Sequence, residues 1–224
     1  MRRFEMPLLL LLGFQPLSLA QRSVEFKAAD PLGRNTVYFL TTAPLEDIVG
    51  MTNEISGLVR VDPDNLESDE IRAVFEVKMS SLNTGIALRN ADLREKYLHT
   101  NDFPKAVFRL EKILESSAPR LTSTQPVSMR VAGTFELHGV KREIEVPVKA
   151  TYIPQTPVTQ FKLPGNLLRV STEFEVRLKD YNIEIPEMLF LRVGKVVHVK
   201  LDLFATDADA PQMSAWLKTV ATSK

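Results

Sequence analysis

The sequence predicts an all-β fold, an eight-stranded antiparallel barrel with one short helix, at about residues 87–98, inserted near its mouth. Three observations carry that expectation. Apolar and polar residues alternate with a period of two through most of the chain, as strands with one dry face do. One charged segment, Ala87 to Leu98, breaks the pattern with helical spacing instead. A sheet of roughly eight long strands would also expose two edges, which closure into a barrel removes. A sandwich is the competing architecture.

The elements follow in order. Val24 and Phe26 alternate with Glu25 and Lys27. Asn35 to Thr42 carries Val37 and Phe39, and Pro44 to Asn53 reads as an irregular insertion edging the mouth. Glu54 to Asp62 alternates around Gly57, where a bulge or bend is expected. Ile71, Ala73, Phe75, Val77 and Met79 share one face, opposed by Arg72, Glu76 and Lys78. In the helix, Leu88, Ala91 and Leu98 form a thin apolar stripe that can lie on the barrel, with Arg89, Asn90, Asp92, Arg94 and Lys96 on the polar side.

Lys105 to Leu114 presents Ala106, Phe108 and Leu110, and Val127 to Leu137 presents Val131 and Phe135. Leu137-His138-Gly139-Val140 reads as a hairpin, with Gly139 in a turn conformation that other residues resist. Ile144, Val146, Val148 and Ala150 form the next dry face, and the proline-rich Pro154 to Pro164 forms a connection. Leu168 to Leu178 carries Phe174 and Val176, and Val197 to Ala205 carries Leu201. After Asp207, the spacing of Met213, Trp216, Leu217 and Val220 fits either a short docked helix or a frayed end.

Composition narrows the function classes. The formal net charge is zero, so no basic excess exists to bind a phosphate backbone, and nucleic acid is a poor partner. Residues 1–20 read as a secretory signal peptide. Arg2 and Arg3 lead an apolar run from Pro7 to Phe14, too short to span a membrane, and Ser18-Leu19-Ala20 offers a cleavage site. The alternative is a ragged, buried N-terminal segment. Cleavage leaves residues 21–224 as a single domain, soluble and secreted, or periplasmic if the source has two membranes. The chain has no cysteine, so neither a disulfide nor a thiolate metal site can form.

No catalytic constellation is visible. The three histidines, His99, His138 and His198, show no metal-ligand spacing, and neither a nucleophile elbow nor a phosphate-cradling glycine loop is present. The chain therefore reads as a binding protein without a cofactor rather than an enzyme. Eight tilted strands leave an interior that side chains either fill or share with one small ligand. The pattern of residues leaves both outcomes open.

Several words of the sequence carry a resemblance. They are Gly57-x-Val59-x-Val61-Asp62-Pro63, Ser81-Leu82-Asn83-Thr84-Gly85, Arg89-Asn90-x-Asp92-Leu93-Arg94, Phe103-Pro104-x-Ala106-x-Phe108 and Val131-x-Gly133-x-Phe135-x-Leu137-His138-Gly139-Val140. In this order and spacing, from Val24 to about Asp207, the chain resembles the YceI-like family of lipocalin-like polyisoprenoid-binding proteins. That resemblance implies a lipocalin-like barrel, usually exported, whose apolar lumen holds a long isoprenoid or comparable lipid. A homodimer is common among such relatives, though no feature of this chain demands one.

The lumen candidates are Val37, Phe39, Phe75, Val77, Phe108, Val131, Phe135, Val146, Phe174, Val176 and Leu201, and the mouth candidates are Arg89, Asn90 and Asp92. The family often has histidine where this chain has Asp92. An ionised aspartate only accepts hydrogen bonds, so a neutral quinone, alcohol or amide head fits better there than an anionic pyrophosphate. The alternatives are a solid barrel serving stress or protein interaction and, more remotely, a lipid-modifying enzyme.

Overall fold

The computed structural model describes residues 23–189 and 191–222. The expected signal peptide lies outside the described residues. Ten strands form one closed antiparallel sheet: β1 (Val24–Ala28), β2 (Thr36–Thr42), β3 (Asp47–Thr52), β4 (Ile55–Val61), β5 (Arg72–Lys78), β6 (Lys105–Ser116), β7 (Pro126–Leu137), β8 (Val140–Ile153), β9 (Leu167–Arg177) and β10 (Val196–Thr206). They make eight staves, because two staves are interrupted. β1 and β2 run in the same direction along one stave, broken at 29–35: β1 pairs with β4, while β2 pairs with β10 and β3. The next stave is β3 followed by β4, kinked at 53–54. The Lys27–Thr206 pairing closes the ring, so the architecture is a barrel and not a sandwich.

Helix α1 (Ala87–Asp92) lies in the β5–β6 connection, and helix α2 (Ala210–Thr222) follows the last strand. α1 continues into a wide turn over Leu93–Tyr97, in which the Leu98 N–H reaches back five residues to the Leu93 carbonyl at 2.9 Å. The extra residue in that turn resets the phase of the helical face. The expected stripe therefore does not form as drawn. Leu98 is buried, but Leu88 is 74% exposed, and Leu93 and Tyr97 pack on the barrel alongside Leu98.

Three other expectations change. Pro44 to Asn53 is not irregular: Asp47–Thr52 is a strand paired with β2 along its whole length. Gly57 is not at a bulge, because β4 pairs with β5 in unbroken register from Ile55–Val77 to Arg60–Arg72. The bulges fall in β6, between Leu110 and Lys112 and between Ile113 and Glu115, where they turn the strand so that Leu110 and Ile113 both line the interior. The tail is a docked helix: Trp216 packs with Leu163 and Leu167 outside the wall and donates its indole N–H to the Gln160 carbonyl at 2.8 Å.

The two ends of the barrel differ. The end away from α1 is sealed by the buried side chains of Phe26, Leu66, Leu121 and Leu203, and two backbone bonds sew its loops together, Leu66 N–H to Pro119 O at 2.8 Å and Leu121 N–H to Pro63 O at 2.7 Å. The other end carries the β2–β3 turn, α1, the two-residue β7–β8 turn and the long β9–β10 connection. His138 and Gly139 form that β7–β8 turn with φ of +51° and +76°, the left-handed pair that suits the twist of a tight hairpin.

Candidate ligand cavity

The barrel is hollow. A cavity of about 590 Å³ runs from Leu66 and Leu121 at the sealed end to Ile86, Leu88 and Arg192 at the α1 end, where it opens. That volume lies in the usual range for small-molecule sites, roughly 300–1,000 Å³. The hollowness shows in β5, whose inward residues Ala73, Phe75 and Val77 stay only partly buried although they face the inside of the wall.

What keeps the space open is where the aromatic rings go. On β4, β3 and β7, glycine stands beside an inward phenylalanine of the neighbouring strand. Phe75 folds over Gly57, Phe39 over Gly50 and Phe108 over Gly133, each ring occupying the space a glycine side chain would take. Phe75 and Phe39 are the direct cross-strand partners of their glycines. Rings laid flat on bare backbone bury their faces against the wall rather than in the centre. Phe135 is held to one side by edge-to-face contacts with Phe174 at 5.7 Å and Tyr181 at 5.6 Å.

All eleven lumen candidates line this cavity: Val37, Phe39, Phe75, Val77, Phe108, Val131, Phe135, Val146, Phe174, Val176 and Leu201. The period of two suffices to find them, because a closed barrel turns every apolar phase to the same interior. The inward hydroxyl of Thr172 donates to the Pro147 carbonyl at 2.6 Å and so is matched within the wall.

The mouth candidates divide. Arg89 and Asp92 line the opening, but Asn90 does not. The Asn90 amide is used internally: its Oδ1 accepts from the Thr84 N–H and hydroxyl, both at 2.8 Å, and its Nδ2 donates to Asn83 Oδ1 at 2.8 Å. Asn83 in turn exchanges both backbone bonds with Met51 of β3, at 2.9 and 3.0 Å. The Ser81–Gly85 and Arg89–Arg94 words thus build a knot that fixes α1 to the β2–β3 hairpin, a structural task for a side chain that sequence alone assigned to a ligand.

Arg89 also has partners. Its Nη1 donates to Glu46 Oε1 at 2.5 Å, its Nε to the Thr84 hydroxyl at 3.0 Å and its Nη2 to the Thr84 carbonyl at 3.2 Å. Arg192 stands 3.8 Å from the other Glu46 oxygen, and Asp92 pairs with Lys96 at 2.7 Å. The opening is therefore polar but charge-matched.

Sequence reasoning missed part of the lining. Ile183, Ile185, Leu189 and Val193 of the β9–β10 connection face the cavity, as do Leu82, Leu93 and Tyr97 around α1. The alternation in Tyr181-Asn182-Ile183-Glu184-Ile185 is a signal that could have pointed to the first two. The lack of metal-ligand spacing among the histidines also hid a contact: the His99 and His138 rings stack, with Nδ1 of one 2.9 Å from Nε2 of the other, and His138 Nδ1 lies 3.1 Å from the Tyr181 carbonyl. This pair ties the end of the helical segment to the β7–β8 turn. Among the described residues, no group of three His, Asp or Glu side chains is placed to hold a metal ion.

Comparison with known proteins agrees with this architecture. A family profile described as a YceI-like domain matches residues 23–205. No curated protein matches the chain by sequence. Among solved structures, BcnA of Burkholderia cenocepacia superposes with a TM-score of 0.62 at 16% identity, over 80% of this chain and 100% of that one. A polyisoprenoid binding domain from Saccharophagus degradans, implicated in plant cell wall breakdown, gives 0.60 at 17%, over 83% and 99%. The Campylobacter jejuni YCEI protein gives 0.57 at 14%, over 74% and 88%. At these identities the likeness is one of fold.

Proposed function

The chain belongs to the YceI-like family, and from that premise we propose that it is a binding protein, not an enzyme, that holds a long-chain isoprenoid or similar lipid in the barrel lumen. The observation that carries this reading is the apolar cavity of about 590 Å³, sealed at one end and open beside α1. The polyisoprenoid binding domain of Saccharophagus degradans, which shares the fold, supports the same class of ligand. A secreted or periplasmic address, with residues 1–20 removed as a signal peptide, belongs to this proposal.

The energetics suit the role. Burying ~400 Å² of ligand hydrocarbon is worth roughly 10 kcal/mol at about 25 cal/mol per Å². Ordering and association take back several kcal/mol, which leaves micromolar or tighter binding without any charged contact.

The mouth favours a neutral head, such as a quinone, alcohol or amide. Arg89 has three of its donor contacts committed to Glu46 and Thr84, so gripping a pyrophosphate would mean breaking them. The carboxylates of Glu46 and Asp92 at the same opening already hold the cations around them, Arg89, Arg192 and Lys96, so an anionic head would have to compete with them.

Mass spectrometry of the protein purified under mild conditions tests the central reading: a co-purifying lipid with a hydrocarbon chain is the expected result. Titration with a polyprenyl alcohol and the matching pyrophosphate tests the headgroup, and tighter binding of the pyrophosphate would refute that part.

A further inference from the structure

We propose that the rim of the cavity is a docking surface for a lipid bilayer, through which the ligand enters and leaves. The juxtaposition behind this is specific. Among the described residues, five large apolar side chains stand exposed around the open end: Leu45 at 71%, Ile86 at 50%, Leu88 at 74%, Met188 at 86% and Leu191 at 38%. They come from three separate connections, the β2–β3 turn, the start of α1 and the β9–β10 connection. The Leu45 N–H bonds to the Leu191 carbonyl at 2.9 Å, which holds two of these connections side by side.

Each belongs to the edge of the cavity. Ile86 and Leu88 line it directly, and Leu45, Met188 and Leu191 adjoin the lining residues Glu46, Leu189 and Arg192. None of the five belongs to a core cluster. Isolated exposed leucines are ordinary, but a ring of them around one opening is not.

The continuity of rim and cavity identifies the occupant. A ligand that fits the apolar lumen is sparingly soluble in water, and its reservoir is a membrane. A mouth whose charged groups are paired and whose lip carries protruding apolar side chains can meet the bilayer's hydrocarbon without exposing the tail to water on the way. Protruding side chains on separate turns also suit a fluid surface better than a shaped protein partner, which would favour a flat, mutually packed face. The charges at the opening are paired, Arg89 and Arg192 with Glu46 and Lys96 with Asp92, so the attraction is apolar and needs no anionic lipid. At the sealed end, Val158 and Phe161 protrude from one loop, and neither lines the cavity.

This proposal rests on the lipid-binding reading, and the experiment separates the two. Flotation with phosphatidylcholine vesicles, with and without added phosphatidylglycerol, measures membrane partitioning. Loading with a micellar fluorescent fatty-chain probe measures the lumen. The double substitution Leu45→Ser, Met188→Ser touches exposed side chains that do not line the cavity, and Phe161→Ser at the sealed end is the control.

Wild-type protein and Phe161→Ser are expected to float equally with both vesicles, while the double variant loses about tenfold or more of its partitioning, the scale of one or two apolar side chains returned to water. Equal flotation of the double variant overturns the proposal, as does a strict need for phosphatidylglycerol. So does a wild-type dimer that the double variant converts to monomer without any vesicle binding, since a second copy would then cover the rim. Flotation without lumen loading would leave the docking surface standing and refute the carrier.

Discussion

The ring of Phe75 lies across Gly57, its cross-strand partner, so closely that a Cβ at Gly57 would overlap the ring. The glycine is the recess that lets a bulky inward residue lie against the wall. The cavity therefore depends on residues that contribute no side chain to it.

Gly57→Ala should drive the Phe75 ring toward the centre of the lumen. The expected cost in stability is about 1–3 kcal/mol, as for other overpacked cores. Lipid binding should weaken more than stability does, because the displaced ring takes ligand volume. Thermal unfolding and a fluorescent-lipid titration, measured together, check this, and unchanged affinity would show that the ring finds another place on the wall.

Phe75→Trp places a reporter on the cavity wall. The single natural tryptophan, Trp216, packs outside the barrel with α2, so Trp216→Phe gives a dark background. Adding lipid should quench or blue-shift the emission of the introduced indole. A spectrum indifferent to lipid would mean that the lumen stays empty.

Arg89→Met should act on kinetics rather than stability. Removing the guanidinium leaves Glu46 with the longer Arg192 contact and takes away two of the bonds between α1 and the Thr84 turn, those of Asn90 remaining. The pair is partly exposed, so the stability change should stay within about 1 kcal/mol. Lipid release, followed by stopped-flow transfer to acceptor vesicles, should accelerate several-fold. An unchanged rate would mean that this side of the mouth does not gate exit.

Asp30→Asn tests the break between β1 and β2. The Asp30 side chain is fully enclosed, and Arg34 donates to it twice, at 2.7 and 3.1 Å, with the Leu32 N–H at 3.0 Å. Burial pushes the Asp30 carboxyl up, but the Arg34 and Leu32 hydrogen bonds and the nearby positive charges outweigh it, so it sits below its ordinary value of 3.8. With its pKa lower in the folded state, the unfolded chain takes up the proton first, and acidification removes stability. The variant should lose about 1–2 kcal/mol at neutral pH. That gap should hold down to the ordinary aspartate range and close as pH falls through the lowered folded value. Denaturant melts across pH would show it, and a gap independent of acid would remove the carboxylate from the account.

Much of this molecule was legible beforehand because a barrel is the simplest way to use its pattern. Once the sheet closes, alternate residues share one interior, so Val37, Phe108, Val146 and Leu201 could be assigned to the lining without knowing any strand's neighbours. The helical segment at 87–98 was legible from its change of period. Asn90 was not: its amide faces Asn83 and Thr84 rather than the opening, a contact that exists only once the turn has formed. Nor was β3, because the short run Asp47–Thr52 contains a glycine and lacks a long apolar alternation.

Local pattern was enough to specify an all-β fold with an apolar inward face and an exceptional segment at 87–98, because each strand carries the period of two independently of its neighbours; closure into a barrel rather than a sandwich came with the Lys27–Thr206 pairing. Whether that inward face would be filled or hollow depended on long-range pairing. Hollowness is a matter of register: Gly57 must stand opposite Phe75 and Gly50 opposite Phe39, and these residues meet only when the strands pair. The same closure gathered Leu45, Leu88 and Met188 around one opening, from turns that nothing local connects.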